Sequence, residues 1–137
     1  MKKIFCVWML CFSASLWASS NDQLIIKIHN LLATDCELQE QIVLYGHVSD
    51  HTKVPTVIPA QQTAQFTMRS GPHHCNNHDD KTILLTYVCG SEQSITLYTT
   101  DKTWQNPKTF DEKNMRADFK MNTLMLYPSE IYWTLMY

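Results

Sequence analysis

Hydrophobic and polar residues alternate along most of the chain after residue 21, which is typical of β-strands with one buried face. In Leu24–Asn30, apolar residues at 24, 26 and 28 alternate with Lys27 and His29. Thr82–Cys89 is apolar on both faces, as expected of a central strand. The predicted strands are Leu24–Asn30, Leu38–Tyr45, Thr63–Arg69, Thr82–Cys89, Ser94–Thr99, Met115–Asn122 and Glu130–Tyr137.

Turn-forming residues separate these strands, and no amphipathic helix of three turns is apparent, although Asp111–Asp118 has room for a short one. A parallel sheet would need crossover helices between its strands. About seven short strands without such helices therefore predict an all-β fold, a single-domain antiparallel β-sandwich. The chain shows no internal repeat, low-complexity tract or linker.

The first twenty residues have the three-part layout of a secretory signal peptide. Lys2 and Lys3 precede an uncharged apolar stretch at residues 4–17, and small residues follow at 18–20. We expect cleavage after Ala18 or Ser20, leaving a β-sandwich domain over residues 21–137 in the periplasm or outside the cell. Because the apolar stretch is shorter than the ~20 residues that cross a membrane, no transmembrane anchor is expected after cleavage.

The charge of the chain limits its choice of partners. The formal net charge is −2, and without Lys2 and Lys3 nine basic residues face thirteen acidic ones, for a charge of −4. This balance gives no electrostatic basis for binding nucleic acid. The hydrophobic fraction of 45% is that of a globular domain.

Three cysteines remain after loss of the leader, and an odd number in an oxidising compartment predicts one disulfide and one free thiol. If Thr63–Arg69 and Thr82–Cys89 form a hairpin, Cys75 lies near its apex and Cys89 at its far end. Eight strand residues separate these ends by ~26 Å, whereas a disulfide needs Cα atoms within about 7 Å. Cys36 opens the second predicted strand and Cys89 closes the fourth, so we expect the two to meet across the two sheets. The sequence therefore favours a Cys36–Cys89 disulfide, which leaves Cys75 as the free thiol.

Histidine and cysteine are concentrated in residues 71–80, which is otherwise interpreted as a polar loop between two strands. The side chains of His73, His74, Cys75 and His78 are ligands that zinc and copper prefer, although their spacing matches no standard motif. A thiol-dependent enzyme centred on Cys75 is a second alternative, which requires a thiolate-stabilising environment. No phosphate-binding loop, HExxH or GxSxG motif is present, so we expect neither a cofactor nor catalysis.

Aromatic side chains form the other notable group. Trp104 lies in the predicted loop Thr100–Asp111, between Lys102 and Lys108. A tryptophan flanked by lysines is suited to a membrane surface or another ligand, because the ring is apolar and its N–H is polar. Trp133 sits at an alternating position of the last strand, so we expect it in the core.

Several short motifs resemble the aegerolysins. These are Leu24–Asn30, a strand that ends in Asn, the aromatic–glycine pair Tyr45-Gly46, and Thr56–Pro59 ahead of the strand Thr63–Arg69. The resemblance covers the first half of the chain that follows the leader. It implies a small β-sandwich that binds lipid, in some cases together with a pore-forming partner. The Gly-rich middle and the dense tryptophan cluster of that family are absent here.

Together these features predict a secreted, non-catalytic binding module. The expected partner is a membrane lipid, a glycan or another protein, and the residues expected to contact it are Lys102, Trp104 and Lys108. A metal-binding protein and a thiol-dependent enzyme remain the alternatives.

Overall fold

The structure is a computed structural model that describes residues 22–71, 80–102, 104–124 and 127–137. The described residues form two five-stranded sheets, here called sheet A and sheet B. The strands are β1 (Gln23–Asn30), β2 (Cys36–Tyr45), β3 (His47–Val48), β4 (Val57–Ile58), β5 (Thr63–Arg69), β6 (Thr82–Cys89), β7 (Gln93–Thr100), β8 (Lys108–Lys113), β9 (Arg116–Leu124) and β10 (Tyr127–Met136).

Sheet A has the strand order β3-β5-β1-β10-β9, and sheet B has the order β4-β2-β6-β7-β8. Every pair of neighbouring strands is antiparallel except β1 and β10, which run parallel. The inner faces of the two sheets pack together around side chains such as Ile26, Phe66, Leu85 and Trp133, all with no exposed surface. The predicted all-β sandwich is confirmed, and so is the burial of Trp133.

The predicted Cys36–Cys89 disulfide is present, although the geometry behind that prediction was wrong. Strands β5 and β6 lie in different sheets and do not form a hairpin. The two cysteines instead face each other directly on neighbouring strands of sheet B. They therefore join β2 to β6 within one sheet rather than one sheet to the other.

Two connections between strands depend on particular residues. Asn30 is fully buried at the end of β1, where its Nδ2 donates to the carbonyl oxygens of Thr34 and Ile58 at 2.9 and 3.0 Å. Its Oδ1 accepts from the Leu32 N–H at 2.9 Å. Gly46 carries the chain from β2 in sheet B to β3 in sheet A with a φ of 76°. A Cβ there would lie 2.5 Å from the Arg69 carbonyl oxygen, so only glycine fits.

Strand β8 corrects two predictions. The segment Thr100–Asp111 was expected to be a loop, but Lys108–Lys113 pairs with β7 along the edge of sheet B. A short helix over Asp111–Asp118 is also wrong, because strand β8, a turn and the start of β9 occupy those residues. Asp111 and Asn114 have positive φ angles of 49° and 51°, which are incompatible with a right-handed helix.

The leader lies outside the described residues, so its cleavage stays a prediction. In the described ranges, no helix is long and apolar enough to cross a membrane.

Candidate functional site

Exposed hydrophobic side chains are concentrated on sheet B. The described part of the chain exposes nine large ones, and six belong to the second half of β2 or to residues 104–110. The six are Ile42, Val43, Leu44, Tyr45, Trp104 and Phe110. Trp104 is the most exposed, at 71% of its surface. Contiguous exposed apolar surface on a soluble protein commonly marks a place of contact with a partner.

Strand register places much of this group on the outer face of sheet B, the face turned away from the core. Ile42 lies opposite Leu84, Leu84 opposite Tyr98, and Tyr98 opposite Lys108. Directly opposed residues project to the same side of a sheet. Phe110 lies in the next row, opposite Thr96. Apolar or aromatic side chains therefore lie on all four strands of this face, and three of them share one row with Lys108.

Two lysines lie among the aromatic rings of this surface. The Lys102 Nζ is 4.1 Å from the ring centroid of Tyr45 and 6.0 Å from that of Trp104. The Lys108 Nζ is 5.0 Å from the centroid of Phe110 and 5.4 Å from that of Tyr98. These are cation–π distances. We call the surface formed by Tyr45, Tyr98, Lys102, Trp104, Lys108 and Phe110 the lysine–aromatic face.

Hydrogen bonds hold the segment that carries Trp104 against sheet B. The Tyr98 hydroxyl donates to Gln105 Oε1 at 2.7 Å, and the Gln105 N–H donates to the Lys102 carbonyl at 3.2 Å. The Lys102 N–H donates to Thr100 Oγ1 at 3.3 Å. These contacts fix the turn between β7 and β8 and direct it toward the end of β2.

A buried ion pair anchors the start of the same segment. Lys81 is 1% exposed, and its Nζ lies 2.7 Å from Asp101 Oδ2. The Lys81 N–H also donates to Asp101 Oδ1 at 2.6 Å, and the Asp101 N–H donates to the Lys81 carbonyl at 3.2 Å. Burial raises the pKa of the Asp101 carboxyl, while Lys81 acts to lower it. Asp101, which directly precedes Lys102, is therefore held against Lys81, the residue before β6.

The structure brings together all three residues predicted to contact a partner, Lys102, Trp104 and Lys108. Sequence analysis missed the contribution of β2, above all Tyr45. A signal was present, because Ile42–Tyr45 is apolar on both strand faces, yet the same pattern occurs in the central strand β6.

The predicted metal ligands His73, His74, Cys75 and His78 lie outside the described residues. Within those residues, no group of three or more His, Cys, Asp or Glu side chains is placed to hold a metal ion. The metal and thiol alternatives therefore stay predictions.

Comparisons with known proteins identify the fold. No protein-family model and no curated protein matches the sequence. Nakanori, a lipid binding protein, superposes with a TM-score of 0.59 and 10% identity over 83% of this chain and 69% of its own. IP-1A from Alcaligenes faecalis superposes with a TM-score of 0.52 and 10% identity over 85% of this chain and 91% of its own.

The chain thus shares the β-sandwich fold of a lipid-binding protein, and the fold implied by the resemblance to aegerolysins is confirmed.

Proposed function

We propose that this protein is a secreted binding module that attaches to lipid membranes through the lysine–aromatic face. The observation that carries the proposal is the exposure of Trp104, Tyr45 and Phe110 around two lysine ammonium groups on one outer surface. The fold shared with a lipid-binding protein supports the same conclusion.

The side chains of this face match the chemistry of a bilayer surface. Tryptophan and tyrosine rings favour the boundary between headgroups and hydrocarbon, because one end of each is apolar and the other polar. Lys108 would attract anionic headgroups, at about 1 kcal/mol near the surface. The Lys102 ammonium would add less, because it lies 3.9 Å from Asp80 Oδ2 and its side chain is only 13% exposed. This attraction matters because a processed chain of charge −4 is repelled by anionic lipid everywhere else.

Secretion is part of the proposal. The basic and apolar leader supports it, and so does the Cys36–Cys89 disulfide, because disulfides persist mainly in oxidising compartments. The mass of the exported protein tests it, since cleavage after Ala18 or Ser20 removes a defined fragment.

Vesicle co-sedimentation tests membrane binding. Wild-type protein should bind vesicles of phosphatidylcholine with phosphatidylglycerol more tightly than vesicles of phosphatidylcholine alone. Trp104→Ala should weaken binding about tenfold or more, because it removes the most exposed ring of the face. Tyr137→Ala is the matched control, since Tyr137 is also an aromatic residue, 63% exposed, but lies outside this face.

The lysines are tested in the same assay. Lys102→Gln with Lys108→Gln should remove the preference for anionic vesicles, while Lys53→Gln, on an exposed residue elsewhere, should retain it. Equal losses in Trp104→Ala and Tyr137→Ala would contradict the assignment of the face. Failure of wild-type protein to bind either vesicle would overturn the membrane proposal and leave a glycan or protein partner.

A further inference from the structure

Strand β2 has an open edge over most of its length. Its neighbours in sheet B are β6 on one side and β4 on the other, and β4 pairs only with Cys36 and Glu37. The Leu38 N–H donates to the Thr56 carbonyl at 2.8 Å, but no described strand pairs with residues 39–45 along this edge. All the side chains of that stretch are exposed. We call residues 39–45 the open edge of β2.

The open edge is apolar on both faces of the strand. Ile42 lies opposite Leu84 and projects to the outer face of sheet B, whereas Val43 projects to the core side, because it lies opposite the buried Ile83. Val43 is nevertheless 38% exposed, nearly as much as Ile42 at 40%. A membrane against the outer face would leave Val43 in water. A strand added along the edge would cover both side chains.

The other long edge strands differ from β2 in charge. Four of the six residues of β8 are charged, and β9 carries Arg116, Asp118 and Lys120. Charged side chains on an edge strand oppose pairing with another chain. Residues 41–45 of β2 include no charged side chain, so this protection is missing where the edge is open.

The two ends of the open edge carry opposite charges that suit antiparallel pairing with a second copy. Glu40 is exposed near its start. At its end, the Lys102 Nζ lies 4.1 Å from the ring centroid of Tyr45, and it also lies 3.9 Å from Asp80 Oδ2. Because antiparallel strands run in opposite directions, the acidic start of one strand lies beside the end of the other that carries the lysine. The two Glu40 carboxylates are then kept apart.

We propose that two copies of this chain form a dimer through antiparallel pairing of the open edge of β2. Strand β4 limits the open edge on one side, and Gly46, where the chain leaves sheet B, limits it on the other. The open stretch therefore matches the same stretch of a second copy, with Ile42 opposite Ile42. The two-fold axis is perpendicular to the sheet, so both lysine–aromatic faces lie on the same side of the dimer.

Sedimentation velocity of the processed protein in lipid-free buffer tests the dimer. A single added strand is a small interface, so we expect a dissociation constant in the micromolar range. Val43→Lys should raise this constant tenfold or more, because a charge on an edge strand opposes pairing. It leaves the outer face unchanged. Val43→Thr is the matched control, since it has the same shape without the charge, and it should still form the dimer.

Disulfide cross-linking tests the register. Ile42→Cys, made together with Cys75→Ser, should form an intermolecular disulfide under mild oxidation. Directly opposed residues of antiparallel strands have Cα atoms about 4.5–5.5 Å apart, within the reach of a disulfide. Phe110→Cys in the same background is the matched control, because Phe110 has the same exposure of 40% but lies on the edge strand β8. It should not cross-link.

Three outcomes would overturn the dimer. These are a protein that stays monomeric up to millimolar concentration, a dimer that folded Val43→Lys leaves unchanged, and equal cross-linking of Ile42→Cys and Phe110→Cys. Circular dichroism shows whether Val43→Lys folds, and the cross-linking decides if it does not. The dimer is measured without lipid, so a dimer that binds no vesicle would refute only the proposed function, whereas a monomer that binds vesicles would refute only the dimer.

Discussion

Removing the partner of the buried Lys81 is the sharpest test of how the Trp104 segment is held. Lys81 is fully buried, and Asp101 is the carboxylate with which it forms its salt bridge, at 2.7 Å. Asp101→Asn keeps the shape of the side chain but removes the carboxylate charge that lies 2.7 Å from the Lys81 ammonium. Lys81 directly precedes β6, and Asp101 directly precedes the segment that carries Lys102 and Trp104. We therefore expect loss of the pair to alter the lysine–aromatic face as well.

We expect a large loss in the free energy of unfolding, because the site is buried and water cannot take the place of the Asp101 carboxylate. Breaking a buried ion pair by removing one member costs about 3–5 kcal/mol. For a domain of this size, that loss corresponds to a fall in Tm of about 10–20 °C. Replacing both members, with Lys81→Met and Asp101→Asn, should recover most of the loss, because neither charge of the pair then stays buried.

The measurement is urea unfolding at pH 7, followed by circular dichroism. Glu130→Gln is the matched control, since it breaks the Lys27–Glu130 pair at 3.2 Å, in which both side chains keep about a quarter or more of their surface exposed. Partly exposed pairs contribute about 0–1 kcal/mol. If Asp101→Asn costs no more than Glu130→Gln, the argument that charge pairing anchors this segment is refuted.

Two further predictions concern the fold. The double substitution Cys36→Ala and Cys89→Ala should lower the free energy of unfolding by about 4 kcal/mol for a sequence separation of 53, and an unchanged urea midpoint would contradict this. Asn30→Asp should cost about 3 kcal/mol or more, because a carboxylate cannot donate to the carbonyls of Thr34 and Ile58. Asn106→Asp, on an exposed residue, should have little effect in the same assay.

The strands were predictable from sequence wherever one face is buried. All seven predicted strands are present, and in β1 and β5 the alternation of apolar and polar residues directly reflects burial on one side. Strands β3 and β4 have two residues each, which is too short for a period to be recognised. Strand β8 was missed because it is an edge strand with mostly exposed side chains, so its sequence, KTFDEK, carries no core signal.

Two residues of the motifs that resemble aegerolysins have structural roles in the fold. Asn30 closes the end of β1 through its buried amide, and Gly46 passes between the sheets where a Cβ would collide with Arg69. Backbone geometry, rather than contact with a ligand, requires asparagine and glycine at these two positions. The resemblance therefore predicted the architecture correctly, and it carries little information about which lipid would bind.

The candidate site could be only partly predicted, and the reason lies in the topology of sheet B. Two apolar runs look alike in the sequence, Ile42–Tyr45 of β2 and Ile83–Leu85 of β6. The sequence alone predicts a buried strand for each. In the structure, β6 has a full-length neighbour on either side, so Leu84 is half-buried between Ile42 and Tyr98. Strand β2 has β6 on one side and only the two residues of β4 on the other, within the described part of the chain. Tyr45 is consequently 45% exposed. The apolar run that sequence places in the core thus becomes surface, beside Lys102 and Trp104, and a surface of that composition gains free energy when a lipid interface covers it.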